Sequence, residues 1–252
     1  MNRSTSTPQM MTPPSAGAPG QRLLDLSGGL LLLLGLSGAS LALLAPFNSA
    51  HLLQAVVLYL LLALLLHVRL PPTAPGPGIG WANRVTLVRA VPVLLIAGLI
   101  GHGPWPDSLI WWVVVLAVAA LLLDGVDGLV ARRTGTSTSF GARFDMELDA
   151  ALILLLAFLV WRTGQAPAWV LLVGLLRYGF VAAGWVLPAL RQPLPESFRR
   201  KTVCVIQVIA LPLCLAPIVP VQLATSMALL ALALLVWSFA VDSRWLMRQG
   251  GH

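Results

Sequence analysis

Long apolar runs, broken by short joints rich in proline, glycine and charge, set the rhythm of this chain from residue 22 onward. Two runs at about 23–46 and 51–70 come first. Pro71, Pro72, Pro75, Gly76, Pro77, Gly78 and Gly80 then end any helix and mark a linker over 71–80. Six further runs lie at about 83–101, 108–131, 140–162, 167–190, 201–219 and 222–242. Each is close to the roughly 20 residues that a helix needs to cross a bilayer core. The pattern predicts an all-α polytopic membrane protein of eight helices, two over 22–70 and six over 81–248. Residues 1–21 read differently, with Ser, Thr, Pro and Gly and almost no large apolar side chains. They cannot bury enough surface to offset the entropy of ordering and are expected to form a disordered tail. The first run ends near Asn48, Ser49 and Ala50 in the manner of a cleaved signal peptide, but it is too long and begins too deep in the chain for one.

Composition sharpens this picture. Of 252 residues, 58% are hydrophobic and 10% charged, and the mean hydropathy is +0.88. The net charge of +7 is scattered between apolar runs rather than gathered in a stripe, which argues against nucleic acid as a partner. It acts instead as a topology signal. With a cytoplasmic N-terminus, every Lys and Arg except Arg162 and Arg177 falls on the cytoplasmic side, so both termini are expected there. Cys204 and Cys214 share one run and, ten positions apart at about 1.5 Å per residue, stand too far apart along a helix for a disulfide. No repeat of 20–50 residues is visible in the sequence.

The acidic residues carry the chemistry. Five of the nine fall between 124 and 149, in DGVDGLVARRTGTSTSFGARFDMELD. Asp124 and Asp127 lie three apart near the end of one span, and Asp145 and Asp149 lie four apart near the start of the next, so each pair shares a helix face. A short connection brings the pairs together. An aspartate at bilayer depth costs about 2.5 to 3.5 kcal/mol on insertion scales, and four facing one another add repulsion, so the cluster calls for bound cations. Carboxylate oxygens without His or Cys suit magnesium or manganese, and four of them suit a pair of ions. Two plainer readings stand beside this one: the acids pair with Arg132, Arg133 and Arg143, and Gly128 and Gly141 are packing glycines of membrane helices.

The spacing D-x2-D-G-x2-A-R-x8-G-x3-D-x3-D resembles the signature of the CDP-alcohol phosphotransferase family, matched by Asp124, Asp127, Gly128, Ala131, Arg132, Gly141, Asp145 and Asp149. The resemblance implies that the six helices from about 83 onward form the family core and that the first two are an addition. It implies that Asp124, Asp127, Asp145 and Asp149 hold two metal ions, Mg2+ or Mn2+, with Asp149 also the general base. It implies a CDP pocket lined by Asp124, Gly128, Ala131, Arg132, Gly141 and Thr86.

Other stretches resemble the phospholipid-synthesising branch, and phosphatidylglycerophosphate synthases most. Asn83, Thr86, Arg89 and Pro92 resemble its N-x2-T-x2-R-x3-P element, with Ala82 where proline is common; the same residues also read as a helix cap. Lys201, Thr202 and Gln207 resemble a K-T-x4-Q element, with Phe198 and Arg199 in place of the Gly-Lys often found before it. Arg177 resembles an arginine of relatives that use phosphorylated alcohols, and its plainer reading is an internal ion pair. Arg177, Arg199, Arg200 and Lys201 are thus expected at the acceptor.

The expected activity is metal-dependent transfer of a phosphatidyl group from CDP-diacylglycerol to a small alcohol, glycerol 3-phosphate first, with release of CMP. It would take place at the cytoplasmic face of a bacterial inner membrane, with a homodimer allowed. One alternative is a CDP-choline or CDP-ethanolamine phosphotransferase with diacylglycerol as acceptor. Another, of a different class, is a cation-coupled transporter. No Ser-His-Asp, Cys-His or HExxH arrangement is present among the four histidines.

Overall fold

The computed structural model describes residues 19–44, 46–70, 78–134, 138–187, 190, 192 and 197–249, with the main chain alone at 19, 82, 126–134 and 249. Among the described residues the chain forms eight α-helices: α1 (Pro19–Leu43), α2 (Ser49–Arg69), α3 (Trp81–Gly98), α4 (Asp107–Thr134), α5 (Ser139–Arg162), α6 (Leu171–Val186), α7 (Phe198–Leu215) and α8 (Val221–Gln249). A single 3₁₀ turn, Ala168–Val170, leads into α6.

Five helices are long and apolar enough to cross a membrane by length and composition: α1, α2, the Asp107–Gly125 part of α4, α6 with its leading turn, and α8. Only 22–33% of their most apolar windows is buried inside the protein. Their outward leucines, such as Leu60, Leu61, Leu64 and Leu65 on α2, are more than half exposed. Such a surface would be costly in water and suits hydrocarbon. The protein is an integral membrane protein. The other three helices, α3, α5 and α7, carry Arg89, the Asp145–Asp149 pair and the Arg199–Lys201 run respectively.

α3 occupies the middle of the bundle. It packs against α1, α2, α4 and α5, whereas α7 packs against α4, α5 and α8. Between Leu87 and Leu99, Val88 is the one exposed residue, so α3 shows no single apolar stripe; it is enclosed on nearly every side. A charged residue placed there has to find its partners within the protein.

Several element boundaries differ from the sequence expectation, for local reasons. α1 begins at Pro19, inside the tail expected over 1–21, and proline suits a first helical position because its missing N–H has no partner there in any case. α6 stops at Val186 rather than near 190, because Leu187 precedes Pro188 and adopts an extended conformation (φ −114°, ψ 93°). α7 likewise stops at Leu215 rather than 219, with Ala216 turned out of the helical region (φ −58°, ψ 123°) before Pro217. α8 runs on to Gln249, past the expected end at 242. Most of the tail (1–18) and of the linker (71–77) lies outside the described residues.

Candidate active site

The site begins at the turn that feeds α3. Gly78 (φ +67°) and Gly80 (φ +86°) both occupy the left-handed region, where a side chain would be strained. From this turn α3 presents Asn83, Thr86 and Arg89 at three-residue spacing, all buried, with Arg89 only 1% exposed. Asn83 Nδ2 donates to Ile79 O at 2.7 Å. Its Oδ1 is buried without a hydrogen-bond partner among the described residues and lies 2.7 Å from where a Cβ on Gly141 would stand. Gly141 therefore lets the first turn of α5 lie directly against α3. Thr138 starts that turn, its Oγ1 accepting from Gly141 N at 2.9 Å.

Arg89 then meets three carboxylates. Its Nη1 donates to Asp124 Oδ1 on α4. Nη2 donates to Asp145 Oδ1 at 2.5 Å and to the Asp145 carbonyl at 3.2 Å, and lies 3.3 Å from Asp149 Oδ1. One planar, always-charged group thereby ties α3 to α4 and α5. The side chains of the acids remain 41%, 39% and 29% exposed, against 2% for Arg89, so their free oxygens face a space that a ligand can enter.

Asp124, Asp145 and Asp149 each offer an oxygen such that all three lie within 4.8 Å of one another. Three carboxylates against one guanidinium leave two negative charges, so Arg89 alone does not neutralise the group. Hard oxygens at this spacing fit a divalent cation of the magnesium or manganese kind. Arg89 corrects the sequence reading in one respect. Bound cations were expected to carry the whole compensation, or else Arg132, Arg133 and Arg143, and it is an arginine from the substrate-like element of α3 that supplies part of it.

With this geometry in place, residues 80–237 match the family of CDP-alcohol phosphatidyltransferases. The chain belongs to that family. It is 31% identical over 165 residues to a probable phosphatidylglycerophosphate synthase of Mycobacterium tuberculosis, covering 64% of this chain and 78% of that protein. Over 93 residues it is 38% identical to ethanolaminephosphotransferase 1 of Mus musculus, covering 34% of this chain and 23% of that protein. A CDP-diacylglycerol--glycerol-3-phosphate 3-phosphatidyltransferase of Cereibacter sphaeroides is 31% identical over 93 residues, covering 36% of this chain and 40% of that protein. No solved structure matches. This CDP-alcohol phosphatidyltransferase is a membrane transferase of phospholipid biosynthesis, and its family uses CDP-alcohol substrates and membrane lipid.

The remaining expected site residues of this transferase fall into two groups. The side chains of Asp127, Gly128, Ala131 and Arg132, in the last turns of α4, lie outside the described residues. The basic residues expected at the acceptor are all described. Arg177 on α6 meets Glu147 Oε1 at 2.6 Å. Arg199 on α7 donates to Ser238 O and Oγ at 2.5 and 2.9 Å and to Asp242 Oδ1 at 2.5 Å, and it stands 5.5 Å over the Trp237 ring. Arg200 lies 3.6 Å from Asp242, and Lys201 is on an exposed face. Sequence reasoning did not single out Glu147 or Asp242 as partners. It also gave Arg89 no part in the acidic cluster, although an ionisable residue inside a span is itself a signal that an opposite charge faces it.

Proposed function

We propose that this transferase moves a phosphatidyl group from CDP-diacylglycerol to the hydroxyl of glycerol 3-phosphate and releases CMP. The convergence of Asp124, Asp145 and Asp149 on Arg89, inside a member of this family, carries the reading. The names of the relatives from Mycobacterium tuberculosis and Cereibacter sphaeroides support glycerol 3-phosphate as acceptor.

In this reading Asp124, Asp127, Asp145 and Asp149 hold two divalent ions, Mg2+ or Mn2+. When bound, these neutralise the pyrophosphate and the charge developing on departing CMP. Asp149 takes the proton of the attacking hydroxyl. That oxygen bonds to the β-phosphorus, the bond from this phosphorus to the CMP oxygen breaks, and CMP leaves with its electron pair. Thr86, Gly141, Gly128, Ala131, Arg132 and Asp124 line the CDP pocket, where missing or small side chains let the nucleotide approach the backbone. Arg177, Arg200 and Lys201, with Arg199 beside them, receive the acceptor phosphate. The scatter of basic residues supports a cytoplasmic site. Arg162, on the opposite end of α5 and 5.8–5.9 Å from the Trp105, Phe158 and Trp161 rings, fits an outer aromatic belt.

The test is CMP release by purified protein in detergent, offered CDP-diacylglycerol, CDP-choline or CDP-ethanolamine with a panel of labelled alcohols. Release from CDP-diacylglycerol, with label entering lipid from glycerol 3-phosphate, is expected. Release only from CDP-ethanolamine or CDP-choline, with diacylglycerol as acceptor, would favour the second reading that the mouse relative's name suggests. Absence of CMP from every donor would defeat this reading.

A further inference from the structure

The match to the family begins at residue 80, so α1 and α2 stand outside it. They are nevertheless joined to the active-site helix through polar contacts. Asp25, on the second turn of α1, reaches across to the turn that starts α3. Its Oδ2 accepts from Ile79 N at 3.0 Å, and its Oδ1 lies 2.9 Å from Arg84 Nε, close enough for an ion pair although that N–H has no aligned acceptor among the described residues. The Arg84 guanidinium in turn covers the Trp81 ring at 4.6 Å. A Cβ on Gly78 would stand 2.0 Å from Asp25 Oδ2, so the carboxylate occupies the space that this glycine leaves. The Asp25 side chain is 14% exposed. A carboxylate so far from solvent at a loop needs these partners, and the loop in turn is held by them.

On its other side the same turn touches the site. The Ile79 peptide accepts from Asn83 Nδ2 through its carbonyl, and Asn83 Oδ1 faces Gly141 at the head of α5. A continuous line of contacts therefore runs from Asp25 through Ile79 and Asn83 to Gly141, four residues before Asp145. Arg89 lies on the same α3 and grips Asp145 itself. Tyr59 of α2 completes the support, its hydroxyl donating to Leu26 O at 2.6 Å just behind Asp25.

We propose that Asp25 is a positioning residue of the transferase, acting through the Ile79 N–H to set Asn83 and the α3–α5 contact at the CDP pocket, and that the added helices α1 and α2 serve the active site in this way. This rests on the proposed function only where it speaks of the CDP donor. Asp25 is too far along the line of contacts to touch substrate, so its removal disturbs the placing of the donor rather than the chemistry.

Two measurements on the full-length protein in detergent test this. The first is steady-state CMP release by wild type, Asp25→Ala and Asp25→Asn, with the melting temperature of each. Asp25→Ala is expected to raise the KM for the CDP donor about three- to tenfold, the range that coupling through packed networks reaches, with kcat and the acceptor KM nearly unchanged. Asp25→Asn, which keeps an oxygen for the Ile79 N–H, is expected to recover most of that loss. The second is hydrogen exchange, which needs no substrate. Asp25→Ala should speed exchange at 78–84 and also at 138–149. Faster exchange at 78–84 alone, an unchanged donor KM, an Asn variant as impaired as Ala, or equal shifts in both KM values and in melting would each overturn the assignment. Wild-type protein that releases no CMP from any donor defeats the functional reading instead, and the exchange result then decides the structural link by itself.

Discussion

Arg89 Nη2 lies 2.5 Å from Asp145 Oδ1, joining two residues 56 positions apart and fixing α3 to the first turns of α5. Because Arg89 also meets Asp124 and Asp149, its removal leaves three carboxylates facing one another. Breaking a fully buried ion pair costs roughly 3–5 kcal/mol. Here the acids are partly open to solvent, and a loss of about 2–3 kcal/mol is expected for Arg89→Ala in chelator. Magnesium should then raise the melting temperature of Arg89→Ala more than that of wild type, because the variant carries the larger uncompensated charge. Equal shifts in thermal denaturation of the two proteins would contradict this account.

Metal removal should stop turnover. After dialysis against EDTA the protein is expected to release no CMP, and added magnesium or manganese should restore the rate, since two negative charges remain after Arg89 is counted. Full activity in excess chelator would defeat the metal reading.

The aspartates should separate by role. If Asp124 and Asp145 are metal ligands as proposed, Asp124→Asn and Asp145→Asn should lower metal-dependent binding of the CDP donor together with the rate. On the proposed reading Asp149→Asn takes away the base, a step worth about 10²- to 10⁴-fold, while the other carboxylates would still hold metal and donor. Donor binding to each purified variant, set beside its single-turnover rate, checks this. An Asp149→Asn enzyme that turns over near the wild-type rate, or binds donor as poorly as Asp124→Asn, rules out the assignment.

The pairs Arg177–Glu147 and Arg199–Asp242 should behave differently from each other. Glu147 is 57% exposed, so Glu147→Ala should cost under about 1 kcal/mol in stability, whereas Arg177→Ala should raise the acceptor KM more than the donor KM. Asp242 is 10% exposed and holds Arg199, so Arg199→Ala should cost about 1–3 kcal/mol by stranding a buried acceptor, softened where Arg200 takes its place. Chemical denaturation and paired KM measurements separate these outcomes.

Topology is open to labelling. In a background with Cys204 and Cys214 replaced, cysteines at positions 102 and 162 should react with an impermeant reagent from outside, and those at 133 and 201 only after the membrane is opened. The reverse pattern would overturn the orientation.

The eight helices found among the described residues were legible in the sequence because each coincides with a largely apolar run between breaks, and for the five apolar enough to cross a membrane, burial of backbone polar groups in lipid leaves helix as the available form. The acidic cluster was legible for a similar reason. Asp124 on α4 and Asp145 and Asp149 on α5 lie on helices consecutive in the chain, and the four-residue spacing of the second pair puts both on one face of α5. Proline set the ends of α6 and α7 through the residue before it, a local effect that run length alone had overestimated.

What hydropathy could not supply was the partner of each charge across the bundle. Arg89 with the three aspartates, Asp25 with Arg84 and the Ile79 N–H, and Arg199 with Asp242 each join residues 35 to 60 positions apart in the chain, and they meet only where packing allows. Apolar periodicity tells which residues leave water but not which helices become neighbours, and ion pairing is decided by those neighbours within a few ångströms. The sequence alone therefore determined the membrane helices and the acids of the site, while the tertiary packing of α3 among α1, α2, α4 and α5 decided which cation meets those acids and how the added helices reach them.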